Sequence, residues 1–392
     1  MTDQFVHEQP GTAEPASPSV PQREAIVDLA TLAENAATLA RHARGAELMA
    51  VVKADAYGHG LVPAARALVA GGASRLGTAV IEEALELRRA GIGVPVLAWL
   101  AAPGAPLEAA IRADVDLAAY TLEQLVELRR AADRAGRRVR VHLKIDTGMW
   151  RGGSTVTLWP QLVAAARDAE REGSVDVVGI WSHMACADDP GHPSIGEQLG
   201  VFREAVRLAE SAGLRPEVRH IANSAATLSS PESHWDMVRP GIACYGVDPV
   251  PPQQRSGHPL LRPAMTLSAA VVQTKRAPVG SGISYGHTHV TDHDTTLAVV
   301  PLGYADGIPR HASSRGDVLV RGHRVPVLGR VCMDQFVVDT GDLPVAPGDR
   351  VLVFGPGDTG EPTAQDWADA AGTIPYEVLT RVAPRVPRRH IG

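Results

Sequence analysis

The chain has 392 residues, of which 45% are hydrophobic, 21% charged and only 4% aromatic; this excludes a disordered or fibrous protein and leaves room for two domains. Its 38 basic and 44 acidic residues give a net charge of −6 without any long basic block, which argues against nucleic acid as a partner. No run approaches the roughly 18 apolar residues of a membrane span. Cys186, Cys244 and Cys332 have no metal-type spacing and cannot all pair, so free thiols in a reducing compartment are expected.

Residues 1–22, "MTDQFVHEQPGTAEPASPSVPQ", hold prolines and no apolar run. They lack the basic start and hydrophobic stretch of a signal peptide and read as a disordered leader on a cytoplasmic protein. "EAIVDLA" then reads as a strand that returns to a distant β domain, followed by an amphipathic helix to about Arg44. Across residues 23–250, short β-branched runs alternate with helical stretches: "AELMAVVK", "RLGTAVI", "PVLAWLA", "VDLAAY", "VRVHLKID", "VDVVGIWSH", "VRHIAN" and "DMVRP". Near-continuous apolar strands separated by helices, such as the one after the expected cap Thr121, indicate buried parallel strands. Eight such units predict an α/β fold, an N-terminal (β/α)8 TIM barrel, in preference to a doubly wound open sheet, which usually uses fewer strands. Beyond "PVPPQQRSGHPLLRP" helical periodicity nearly vanishes. Residues 251–392 therefore read as a C-terminal mostly-β domain with one short helix near Thr363 to Ala371.

In a barrel of this kind chemistry sits at the C-terminal strand ends, and the unusual polar residues collect there. Lys53 ends the first strand, Asp146 and Arg151 follow the fifth, and His183 ends the sixth. Asn223 and Ser224 follow the seventh, and Arg239 and Gly241 the eighth. A lone strand-end histidine is ordinarily structural; five strand ends meeting on one rim indicate a site. Only Lys53, Lys144 and Lys275 among the 38 basic residues are lysines. Arginine replaces lysine as a surface cation but cannot act as a neutral amine, so a retained lysine points to chemistry. Lys275, beside Arg276, reads as surface charge. "RPGIACYG" offers unobstructed backbone N–H groups, and Ser224 adds a hydroxyl at the start of a helix; both suit a phosphate. A lysine facing a phosphate nest across a barrel mouth describes a pyridoxal phosphate site, although sugar-phosphate enzymes also combine a barrel with a phosphate site.

From about residue 24 to 388 the chain resembles the pyridoxal-phosphate-dependent alanine racemases. The resemblance rests on "AVVKADAYGHG", "HLKIDTGMWRGG", "WSHMACAD", "HIANSAATL", "VRPGIACYG", "ISYGHT", "GYADGIPR", "GRVCMDQ" and "TIPYEVLTRVAPRVPR". It implies interconversion of L- and D-alanine, which supplies D-alanine for peptidoglycan, by a homodimer with shared active sites. Lys53 is then the cofactor-binding lysine and one catalytic base, and Tyr285 of the partner subunit is the second. The cofactor ring nitrogen falls to Arg239, and its phosphate to Tyr57, Ser224, Gly241, Ile242 and Tyr376. The substrate carboxylate falls to Arg151 and the Met333 backbone, with His183 and Asn223 supporting the network. Asp188, Tyr304, Arg310 and Arg330 are implied at the entrance, and Lys144 as a candidate for carbamylation, against an ordinary pairing with Asp146. No metal is implied.

The chemistry has its own logic. Racemisation removes a proton from one face of a carbon and returns it to the other, which calls for two bases on opposite sides. A guanidinium has no acceptor and stays charged, so Arg239 leaves the ring nitrogen unprotonated, weakens the electron sink and favours simple proton return. A same-fold amino-acid decarboxylase places an acid there instead, and a non-catalytic cofactor-binding barrel lacks a β domain; a broader racemase, acting for example on serine, is the alternative that the residues leave open. Trp150 stands where a smaller residue is frequent, and packing against the rim is expected of it. Cys332 reads as a packed small residue.

Overall fold

The computed structural model describes residues 21–392, so all but the last two residues of the expected leader lie outside it. Strand β1 (Arg23–Asp28) leads into α1 (Leu29–His42), and eight strands follow: β2 (Glu47–Val51), β3 (Arg75–Thr78), β4 (Val96–Ala98), β5 (Val115–Ala119), β6 (Val139–Lys144), β7 (Val175–Trp181), β8 (Val218–His220) and β9 (Met237–Val238). They are the eight apolar runs, paired in parallel in the order β8-β7-β6-β5-β4-β3-β2-β9. The two ends of this sheet meet where the Asp236 N–H donates to Arg219 O (3.2 Å) and the Arg239 N–H to Ala222 O (3.0 Å). The sheet is thereby a nearly closed barrel.

The intervening segments are α2 (Lys53–Gly58), α3 (Leu61–Ala70), α4 (Ile81–Arg89), α5 (Leu107–Arg112), α6 (Leu122–Ala135), α7 (Trp159–Glu172), α8 (Ser194–Ser211) and α9 (Ser224–Ser229). In α6 the buried residues Leu125, Leu128, Ala131 and Ala132 form one face, as the helical period requires. The Thr121 hydroxyl accepts the Gln124 N–H, and Gly136, at φ 67°, ends the helix; a cap of this kind contributes about 1 kcal/mol. A small cluster of Met49, Leu97, Val218 and Met237 fills the barrel interior beneath Trp99.

The C-terminal part is a nine-stranded sheet ordered β11-β14-β17-β16-β15-β18-β10-β1-β19. It is built from β10 (Met265–Ala270), β11 (Gln273–Ala277), β14 (Thr295–Val300), β15 (Asp317–Val320), β16 (His323–Leu328), β17 (Phe336–Asp339), β18 (Arg350–Phe354) and β19 (Arg388–Ile391), together with β1. Strand β1 crosses over as "EAIVDLA" predicts, antiparallel to β10 and parallel to β19. A short hairpin of β12 (Gly282–Ile283) and β13 (His289–Val290) carries Tyr285 in its connection. Helix α10 (Ala364–Ala371) starts at Thr363, whose hydroxyl accepts the Asp366 N–H while the Asp366 carboxylate accepts the Thr363 N–H. The six-residue α11 (Pro375–Thr380) follows and delivers Tyr376.

Candidate functional site

Lys53 leaves the end of β2 at the start of a backbone conformation that L-residues avoid. Ala54, Asp55, Ala56 and Tyr57 all have φ between 53° and 55°, and Gly58 follows at 79°. A left-handed turn costs roughly 1–2 kcal/mol for each residue carrying a Cβ, so the surroundings must hold it. The Ala54 N–H donates to Glu83 Oε1 (2.6 Å), the Leu61 N–H to Asp55 Oδ1 (2.7 Å), and Arg388 Nε to Gly58 O (3.1 Å). A Cβ on Gly58 would stand 2.5 Å from Leu379 O. The turn folds Tyr57 back beneath the lysine, stacked on Tyr245 with ring centroids 4.7 Å apart. Tyr245 is itself anchored by donating to Val51 O (3.0 Å).

All eight barrel strands deliver residues at this end to one cavity of about 640 Å³. Lys53, Lys144, Arg151, His183 and Arg239 crowd five basic groups into its wall. Lysine protonation is correspondingly disfavoured. Burial, helped by Arg151 and opposed by Glu83, holds the Lys53 amine below the ordinary lysine range. Burial, with Arg239 and Arg151 adding and Asp146 opposing, pushes Lys144 down to about 8. Lys144 Nζ lies over the Trp181 and Tyr120 rings, 4.4 and 5.2 Å from their centroids. Asp146, the partner in the alternative reading of Lys144, instead uses Oδ1 to accept the N–H groups of Gly148, Met149 and Trp150. Burial and the surrounding cations keep His183 well below the usual histidine range, hence neutral.

On the opposite wall the Ser224 hydroxyl accepts the N–H groups of Gly241 (2.8 Å) and Ala243 (3.3 Å). Ile242 opens a short 3-10 turn, where an N–H has no intrahelical acceptor. Asn223 caps α9 by accepting the Ala226 N–H (3.0 Å) and donates to Met184 O (3.2 Å). A Cβ on Gly241 would lie 2.1 Å from Tyr57 Oη, so the glycine lets the tyrosine approach the nest. Tyr376 completes this wall, its ring 6.2 Å from that of Tyr57.

The β-domain residues do not enter this cavity within one chain. Tyr285 is 73% exposed and Met333 53% exposed, and neither lines it. They stand together near Arg330, beside which Gly286 lies, and near Ser284, whose hydroxyl donates to Arg330 O (2.6 Å) and meets Cys332 Sγ at 3.3 Å. Tyr304 and Arg310 line a separate surface cleft beside Glu377 and Arg381. Asp188 is exposed on the loop after β7, its charge felt by Tyr376. Lys275 is exposed on β11, as a surface charge should be.

Trp150 departs from expectation. It is 82% exposed rather than packed on the rim, because the loop capped by Asp146 places it at φ 54° and turns the indole outwards. Arg151 still reaches the cavity. Trp99, Tyr120 and Trp181 also line the cavity and were not foreseen. Each stands at or just beyond the end of a strand, so the strand-end rule finds them once aromatic residues are counted along with ionisable ones. Among the described residues no cluster could hold a metal ion and no helix is long and apolar enough to cross a membrane.

Residues 27–249 match the family model described as alanine racemase, N-terminal domain, and residues 264–390 match alanine racemase, C-terminal domain. A protein named alanine racemase from Salinispora arenicola is 56% identical over 372 residues, covering 95% of this chain and 99% of the relative. The crystal structure of alanine racemase from D-cycloserine-producing Streptomyces lavendulae superposes with a TM-score of 0.93 at 51% identity, covering 96% of this chain and 98% of that one. The alanine racemase of Streptomyces coelicolor A3(2) gives a TM-score of 0.91 at 53% identity, covering 95% and 98%.

Proposed function

Because the chain belongs to the alanine racemase family, we propose that it interconverts L- and D-alanine with pyridoxal phosphate held in the barrel cavity by Lys53. The observation that carries this reading is one cavity with a buried, easily deprotonated lysine on one side and, on the other, the Ser224 hydroxyl with the Tyr57 and Tyr376 rings gathered at the glycine-opened start of a 3-10 turn. These are the two ends that a phosphorylated aldehyde requires, and the cavity volume is ample for such a cofactor with a small amino acid. When bound, the cofactor delocalises the electron pair left behind as the α-proton departs.

The remaining work falls to the chain. Tyr57, Ser224, Tyr376 and the Ile242 N–H would hold the phosphate, with Gly241, whose own N–H donates to Ser224 Oγ, leaving room for Tyr57 to reach it. Arg239, a donor without acceptors, would meet the ring nitrogen and leave it unprotonated. Arg151 holds the substrate carboxylate, together with the Met333 backbone of the partner subunit. Lys53 Nζ takes or gives the proton on one face of the α-carbon. Tyr285 of the partner subunit does so on the other, with its hydroxyl as the carrier. Tyr285 and Met333 cannot serve the cavity of their own chain while exposed on its β domain, which supports a homodimer with shared sites; Tyr304, Asp188, Arg310 and Arg330 would then border the way in. Lys144 suits carbamylation, since its site favours the neutral amine that reacts with CO2, and the resulting carboxylate would pair with Arg151. Three unpaired thiols fit a cytoplasmic enzyme supplying D-alanine.

The test is chiral analysis of alanine incubated with the protein and pyridoxal phosphate, followed by borohydride reduction and peptide mapping. Racemisation of both enantiomers, with the reduced cofactor on Lys53 and loss of both in Lys53→Ala, is expected. A cofactor attached elsewhere, or no racemisation, would refute the assignment.

A further inference from the structure

Arg239 is buried in the barrel, yet no carboxylate touches it. Its Nη1 donates to His220 Nδ1 (3.0 Å), and Nη2 contacts Ser182 O (2.7 Å), Ile221 O (3.3 Å) and His183 Nδ1 (3.3 Å). A buried cation needs compensation, and one source lies two side chains away. His220 Nε2 meets His142 Nδ1 at 2.9 Å, and His142 Nε2 meets Asp116 Oδ2 at 3.3 Å. His142 and His220 are fully buried, and Asp116 is 2% exposed. Burial would raise the Asp116 carboxyl, but the bonds from His142 and Arg140 outweigh it, and the group is held below its ordinary range as an anion. Arg140 Nε donates to Asp116 Oδ1 (2.8 Å) and forks onto Glu217 with two 3.0 Å bonds, so the chain ends in the ion network of the barrel floor.

The ends of this chain dictate the protons between them. Arginine only donates, so His220 Nδ1 accepts and its proton sits on Nε2. That proton goes to His142 Nδ1, which places the His142 proton on Nε2, aimed at the acceptor-only Asp116. A second proton on either ring would set two N–H groups against each other. The fold makes room for the relay at a particular place: the β6–β7 pairing shifts register between Val141 and His142, and a Cβ on Gly179 would lie 2.0 Å from His142 Nδ1.

We propose that Asp116, His142 and His220 are positioning residues for the racemisation reaction, a fixed-tautomer relay that carries the Asp116 charge to Arg239 and holds its guanidinium charged and aimed into the cavity. The role of the guanidinium at the cofactor nitrogen rests on the function proposed above; the relay itself does not. Chained hydrogen bonds polarise one another, so the charge of Asp116 makes His220 Nδ1 a better acceptor for Arg239 than an isolated imidazole. Asp116→Asn keeps the shape and an acceptor oxygen for His142 but removes that charge.

Two measurements on the full-length protein test this. The first needs no cofactor: long-range proton–nitrogen spectra of 15N-histidine-labelled protein, assigned with His142→Gln and His220→Gln. Both rings are expected as neutral Nε2–H tautomers between pH 6 and pH 8; a charged ring, or an Nδ1–H tautomer in either, overturns the relay. The second is kinetic: Asp116→Asn is expected to lower kcat per bound cofactor roughly tenfold with KM changed no more than about twofold, and to move the cofactor absorbance band. Parental kcat and band in that variant, with only a lowered Tm, would leave Asp116 a structural residue and refute the role. Should Asp116→Asn fail to fold, the spectra still decide. Should the parent protein not racemise alanine, the function falls while the tautomer result stands on its own.

Discussion

Gly241→Ala probes the phosphate wall through one methyl group. The new Cβ would lie 2.1 Å from Tyr57 Oη, 2.8 Å from Cζ and 3.4 Å from Cε2. The tyrosine cannot retreat freely, because its ring is stacked on Tyr245, which is 1% exposed and tied to Val51 O. The backbone at Gly241 has φ −105°, so alanine meets no left-handed penalty and the collision with Tyr57 is the leading effect. Overpacking of this kind costs about 1–3 kcal/mol. Tyr57 is a proposed phosphate ligand, and displacing it should appear mainly as a cofactor dissociation constant raised roughly 5- to 100-fold. The assay is absorbance titration of the cofactor-free protein with pyridoxal phosphate, with Gly196→Ala as control, where a Cβ meets nothing within 4 Å. An unchanged dissociation constant in Gly241→Ala would refute the placement of the phosphate beside Tyr57.

Ala54→Gly relieves one residue of the left-handed turn. The relief of roughly 1–2 kcal/mol exceeds or matches the 0.4–1 kcal/mol that glycine adds to unfolded-state freedom (both about), so Tm should hold or rise by up to about 3 °C; a clear fall would contradict the strain. Lys144 is held near 8, against an ordinary value of 10.5. The unfolded chain therefore binds more protons between these values, and stability must rise with pH across that window. In CO2-free buffer the Tm advantage of Lys144→Met over the parent should be greatest near pH 7 and shrink towards pH 10; growth of the advantage would reverse the sign of the argument. Tyr285→Phe should slow the two stereochemical directions unequally, as measured by solvent deuterium entering each enantiomer, and equal slowing would count against bases on opposite faces.

Much of this architecture was legible in the residues. Buried parallel strands must be apolar on both faces, so all eight barrel runs stood out, and "EAIVDLA" betrayed its crossing to the far sheet. Thr121 and Thr363 marked helix starts because capping is local chemistry. The left-handed turn was hidden, since nothing in Ala54, Asp55 and Ala56 themselves calls for a positive φ, and tertiary bonds from Glu83 and Arg388 hold the other hand. The aromatic wall escaped because Trp99, Tyr120 and Trp181 blend into the apolar strand runs that carry them. Trp150 went astray because a residue's own size says nothing about the backbone that aims it, which Asp146 sets from four positions away. His142, His220 and Asp116 passed as strand interior, for their value lies in pairings across β5, β6 and β8 that no linear spacing shows.

The most direct test of a site divided between two chains is a heterodimer. One differently tagged chain would carry Lys53→Ala and the other Tyr285→Ala, co-expressed and isolated by tandem purification. One of its two sites then holds both defects and the other holds neither, so roughly half of the parental racemase activity should return although each mutant homodimer is inactive. A heterodimer as inactive as its parents would contradict the shared site and return both bases to a single chain.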